Sequence, residues 1–160
     1  MEIHYRQILA ARLLLQRSKI DIANAVRMFP SVLGMFEIGR RKLSPGRIEI
    51  LSELYETAGA QFIDNGVQLR DKISRDESLI SPEQCRAARG LLVLPMEHLA
   101  MHSGLSLDVI INLEKGRTPF RSTAEKLLTY FEAEGIRLLP GGARDLAATR
   151  YVAPARRSLK

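Results

Sequence analysis

The sequence predicts an all-α protein made of two tandem helical units, each of four to five helices and each followed by a short β-hairpin or extended segment. Three observations lead to that class. A shift of 77 residues sets 11–40 against 88–117 without a gap and leaves nine of the 30 positions identical, where unrelated segments share about two. Serine, proline and glycine recur in both copies where helices start and stop. Apolar residues make up 46 % of the 160 positions, enough for a buried core and too many for a chain disordered throughout.

The identical pairs are Ala11/Ala88, Arg12/Arg89, Leu14/Leu91, Leu15/Leu92, Ala23/Ala100, Val32/Val109, Glu37/Glu114, Gly39/Gly116 and Arg40/Arg117. After one deletion the match resumes at an offset of 76, with Gly59/Gly135, Phe62/Leu138 and Gly66/Gly142. The chain therefore divides into a first unit at 1–70, a link at 71–80, a second unit at 81–142 and a basic tail at 143–160.

In copy two, Ser81-Pro82-Glu83-Gln84 opens the first helix as a capping box with proline in the first turn, and the helix runs to about Val93. Pro95 starts a second short helix that ends near Ser103-Gly104. Ser106 caps a third, stopped by Gly116. Ser122-Thr123-Ala124-Glu125 reads as a further capping box for the fourth, with Gly135 as its terminator. Copy one follows the same plan: Ser18 with Asp21 caps its second helix, Gly39 ends its third, Ser44-Pro45 opens its fourth and Gly59 closes it. Asp64-Asn65-Gly66 between apolar residues predicts a hairpin, with 136–142 as a weaker counterpart.

Composition narrows the function classes. The balance is 24 Lys+Arg against 18 Asp+Glu, or +6, and the single cysteine, Cys85, excludes an internal disulfide and fits a reducing cytoplasm. The longest apolar runs, such as Leu91-Leu92-Val93-Leu94, fall far short of a membrane span. No phosphate loop, nucleophile elbow or carboxylate pair of catalytic spacing is present, so no enzyme and no cofactor are expected. His98 and His102 lie at i, i+4 without a third ligand nearby, and no metal site is expected from them.

Two short helices joined by a turn within a small bundle describe a helix-turn-helix unit. The residues are Ile22-Ala23, Val32-Leu33, Phe36-Glu37 and Gly39-Arg40, matched by Leu99-Ala100, Val109-Ile110, Leu113-Glu114 and Gly116-Arg117. This pattern resembles the Cro/cI-type (XRE-type, lambda-repressor-like) helix-turn-helix family of phage and bacterial regulators, over roughly 120 residues in two copies. The resemblance implies a cytoplasmic, nucleoid-associated transcription regulator, read as a repressor. Its third helix would enter the major groove of double-stranded DNA, with phosphate contacts from the second helix and the loop after the third. Lys19 and Met96 stand where that family usually has glutamine, and Arg27 stands where Gly104 keeps the usual turn glycine.

The copies differ in charge. Across 17–47 the balance is +5, from Arg17, Lys19, Arg27, Arg40, Arg41, Lys42 and Arg47 against Asp21 and Glu37; across 94–124 it is zero. Because phosphate neutralisation supplies most sequence-independent affinity for DNA, copy one is expected to carry the phosphate contacts through Lys19, Arg27, Arg40, Arg41, Lys42 and Arg47. On its third helix, Ser31 can bond a base edge or phosphate, Met35 can touch a thymine methyl, and Gly34 suggests a close backbone approach to DNA or a partner. In copy two, Asn112 can grip an adenine, with Arg117 and Arg121 beside it, while Asp108 repels phosphate. Leu107 and Ile111, expected to be exposed there, resemble a protein-contact patch. The pairs Arg12/Glu37 and Arg89/Glu114, each 25 apart, predict a salt bridge from the first helix to the third in each copy. Two further expectations concern partners: a homodimer through the free edge of the 62–69 hairpin, and a protein partner on copy two. The alternative function is a protein-binding regulator, such as an antiactivator or antitoxin, with one or both copies degenerate for DNA reading.

Overall fold

The computed structural model describes residues 1–72 and 79–147. Copy one comprises α1 (Tyr5–Leu14), α2 (Lys19–Ala25), α3 (Pro30–Glu37), α4 (Pro45–Thr57), β1 (Ala60–Ile63) and β2 (Gly66–Leu69). Copy two repeats the order with α5 (Pro82–Leu91), α6 (Met96–Ser103), α7 (Leu107–Glu114), α8 (Arg121–Ala133), β3 (Ile136–Leu139) and β4 (Gly142–Asp145). Most of the expected link at 71–80 and most of the expected tail, including Arg150, Arg156, Arg157 and Lys160, lie outside the described residues. Residues 143–145 of that tail belong to β4.

The all-α expectation is corrected. The two hairpins join into one four-stranded antiparallel sheet in the order β1-β2-β4-β3, so the described residues form a mixture of eight helices and a sheet rather than two all-α helix-turn-helix units. The joint is β2 against β4, with Gly66 opposite Arg144, Val67 opposite Ala143 and Gln68 opposite Gly142. Under the 76-residue offset these pairs exchange with one another, so the copies meet about a pseudo-two-fold axis between Val67 and Ala143. A two-stranded hairpin is marginal in water, whereas four strands backed by helices are self-sufficient. Pairing of β2 with β4 occupies one edge of each hairpin and leaves β1 and β3 as the outer strands, so of the two edges of the 62–69 hairpin expected to serve a homodimer, that of β2 is taken and that of β1 is open. Gly66 and Gly142 permit the approach: a Cβ on Gly66 would press on Ala143 O, and one on Gly142 would collide with Val67 O.

Above the sheet α1 and α5 cross, and small residues make the crossing close: Ala10, Ala11, Ala87 and Ala88 are fully buried. A Cβ on Gly90 would run into Ala10 Cα. One hydrophobic cluster spans both copies, from Ile8, Leu33, Leu51 and Tyr55 to Leu91, Ile110, Leu127 and Phe131. Each copy is clamped to its hairpin by a glutamine at the third position of its first helix. Gln7 Oε1 accepts from His4 N, and its Nε2 donates to Ile63 O (2.9 Å) and Gly66 O (3.0 Å). Gln84 Oε1 accepts from Ser81 N, and its Nε2 donates to Leu139 O (3.0 Å). Both glutamines are buried, and each satisfies helix-end and hairpin groups that have no partner within their own helix or strand.

Candidate nucleic-acid interface

The α2–α3 pair of copy one is built by local rules. Ser18 caps α2, its hydroxyl accepting from Asp21 N at 3.0 Å, and Pro30 presets the first turn of α3. Between them Arg27 adopts φ +51° where its counterpart Gly104 has φ +71°. A left-handed backbone costs a non-glycine residue about 1–2 kcal/mol, so Arg27 is held there against its own preference. Arg27→Gly is accordingly expected to stabilise the fold by about 1 kcal/mol, read as a higher urea midpoint. A lower midpoint would show that the Arg27 side chain itself braces the turn.

Arg47, in the first turn of α4, donates from Nη1 to Val26 O (3.3 Å) and Arg27 O (3.4 Å). It thereby closes the end of α2 and brings the start of α4 beside the α2–α3 turn. Lys19, the first residue of α2, lies across α3: a Cβ on Gly34 would sit 3.0 Å from Lys19 Nζ. The missing side chain of Gly34 thus also leaves space for the end of Lys19 of its own copy. Ser31 and Met35 are exposed on α3. Arg40 and Arg41 both donate their backbone N–H to Met35 O (2.9 and 3.1 Å), which fixes the two arginines immediately past α3. With Lys42 they are exposed. Among the described residues none of Lys19, Arg27, Arg40, Arg41, Lys42 or Arg47 is in an ion pair.

Copy two differs. Arg121 is engaged by Glu125 one helical turn on, at 3.0 Å, Arg117 is exposed, and Asn112 is half-buried. Leu107 packs against the core and Ile111 is half-buried where the copies meet. Neither forms the exposed protein-contact patch expected of them, because α7 turns that face toward its own chain.

The two predicted salt bridges are present and bidentate. Arg12 Nε and Nη2 meet Glu37 Oε1 and Oε2 at 2.7 and 2.8 Å, and Arg89 meets Glu114 at 2.7 and 3.0 Å. They tie α1 to α3 and α5 to α7, and both carboxylates are buried. Fixing α3 against the body is what a recognition element requires. Arg86 adds a 2.6 Å bond to Glu114 O. Cys85 Sγ lies 3.7 Å from Glu114 Oε1; burial pushes its thiol well up and the Glu114 charge pushes it further, the reverse of an activated nucleophile. His98 and His102 stack at 6.3 Å between ring centroids, and among the described residues no group of three or more His, Cys, Asp or Glu is placed to hold a metal ion.

The Ser81–Gln84 capping box forms as expected, whereas the hairpin contacts of Gln7 and Gln84 and the bond from Arg86 to Glu114 O do not follow from the matched segments 11–40 and 88–117. Extending the 77-residue offset back to position 7 pairs Gln7 with Gln84 and would have singled out the two clamps. Comparison with protein-family models, with curated proteins and with solved structures gives no match to this chain. No described helix is long and apolar enough to cross a membrane.

Proposed function

We propose that the protein is a sequence-specific, double-stranded-DNA-binding transcription regulator, acting as a repressor, in which copy one makes the principal contacts. The observation that carries this reading is the set of cationic side chains around α2, α3 and the start of α4, free of carboxylate partners among the described residues. A cation paired on its own surface has already spent its attraction, as Arg121 has on Glu125; an unpaired one retains it for phosphate. Lys19, Arg27, Arg40, Arg41, Lys42 and Arg47 supply phosphate contacts in this reading, and Ser31 and Met35 face the bases. Asn112, Arg117 and Arg121 make a lesser contribution from copy two. The resemblance of the α2–α3 residues to Cro/cI-type regulators supports the same assignment.

A second reading, capture of a protein partner, is favoured by apolar side chains left in water. Phe29 is 77 % exposed at the start of α3, and Phe120 is 86 % exposed at the start of α8. Titration of a random-sequence duplex at 50 and 200 mM salt separates the two. Six phosphate contacts give a slope of about −5 in log K against log salt, a loss of about a thousand-fold over that range. Absence of binding at 50 mM salt would transfer the assignment to the protein-partner reading.

A further inference from the structure

The seam between the copies holds a cleft of about 210 Å³, lined from copy one by Leu13 and Arg17 and from copy two by Arg86, Met96, Ile111 and Lys115. Arg89 and Glu114 also reach it, but they cancel each other in the bidentate pair. Among the described residues three cations make no ion pair: Arg17 and Lys115 exposed at the mouth, and Arg86 at 8 % exposure in the wall. Arg86 is the unusual one. Its Nη1 donates to Glu114 O and its Nε is buried without any hydrogen-bond partner; among the described residues it makes no direct ion pair, and only the more distant Glu83 carboxylate interacts with its charge. A buried charge without a direct ion pair is costly, and such groups are normally paired at contact distance.

The internal symmetry sharpens the point. Carried across by 77 residues, the positions of Arg17, Arg86 and Lys115 are Leu94, Leu9 and Ile38. One seam therefore gathers three cations where its mate has three aliphatic side chains. At the one of these positions that lies in the α1–α5 crossing, Leu9 serves the fold where Arg86 stands in the other copy, while Lys19 takes the place of Met96, so the two seams set their charges differently. The apolar wall of Leu13, Met96 and Ile111 adds a second requirement, and the volume amounts to about seven water-sized spaces. We propose that this cleft binds a small organic oxyanion, a carboxylate or phosphate head on a short apolar body. The head lies among Arg17, Arg86 and Lys115, and the body lies on Met96 and Ile111. Because the cleft is framed by both copies and by α7, an occupant stiffens the seam.

The test uses the full chain and reads binding directly, so it stands apart from any result with DNA. Amide and methyl NMR shifts are followed while pentanoate, butyl phosphate, pentanol or sodium chloride is added at matched ionic strength. Saturable shifts confined to Arg17, Met96, Ile111 and Lys115 with pentanoate or butyl phosphate, and absent with pentanol and chloride, are expected; which acid binds identifies the head group. Arg17→Ala and Lys115→Ala, both at exposed positions, should each weaken that binding at least tenfold while the ligand-free melting temperature stays unchanged. No saturable shift with either acid, equal shifts with pentanol, or full affinity in both variants would overturn the proposal.

Discussion

Arg89→Ala is expected to destabilise the protein by about 3–5 kcal/mol, the range for removing one partner of a buried ion pair. The side chains of Arg89 and Glu114 are only 8 % and 4 % exposed, so water cannot take over from the guanidinium. The variant strands the Glu114 carboxylate beside Cys85 and also frees Leu94 O, which accepts from Arg89 Nη1 at 3.0 Å. The cost therefore belongs to desolvation rather than to the pair's attraction alone, and this makes a second expectation. Arg89→Met combined with Glu114→Leu removes both charges and should recover most of the loss. Urea unfolding with a shared slope resolves the cycle. A double variant as unstable as Arg89→Ala would show that the attraction itself, rather than relief from an orphaned charge, holds α5 to α7.

Gly90→Val is expected to remove about 3 kcal/mol or more, because a branched side chain there meets Ala10 backbone rather than a movable side-chain end. The α1–α5 crossing must then open, and with it the core shared by both copies. Unfolding should remain one cooperative transition at a lower midpoint when followed by probes in each copy. Gly46→Ala provides the contrast. Gly46 lies in the first turn of α4 with nothing within 4 Å of the added Cβ, so alanine should stabilise by about 0.5–1 kcal/mol. Two separated transitions in Gly90→Val would mean that the copies fold independently.

Much of the helical frame was legible because helix ends are written locally. Ser18, Ser81 and Ser106 cap helices by side-chain bonds, and Gly39, Gly59, Gly104, Gly116 and Gly135 sit at positive φ. The fourth helix of copy two starts at Arg121 with Phe120 at the cap, not at the Ser122 box, because its position is set by packing of Leu127 and Phe131. The sheet was not legible as a sheet. Each strand has four residues, and β2–β4 pairing joins segments 76 apart in sequence, where no short-range rule reaches. Asp64 and Asn65 make the hairpin turn, with Asn65 at φ +53°, while Gly66 belongs to β2 and yields space to Ala143. The same long-range joint buried what the outward face of α7 was expected to show: Ile111 reads as surface from its own copy and becomes a wall of the seam once Leu13 and Arg17 arrive. Charge was the more legible half of the candidate interface, since Arg40, Arg41 and Lys42 lie past a helix end where nothing covers them.

In the proposed function this cationic surface of copy one meets duplex DNA, and charge reversal tests that contact most directly. Fluorescence anisotropy with a random duplex at 50 mM salt compares Arg40→Glu/Arg41→Glu with Arg117→Glu/Arg121→Glu, both at exposed positions. The copy-one pair is expected to weaken binding at least about a hundredfold and to flatten the salt slope by about two. The copy-two pair, one member of which is already matched by Glu125, should cost less than about tenfold. Equal losses in the two variants, or unchanged binding in the first, would contradict the assignment of the interface to copy one.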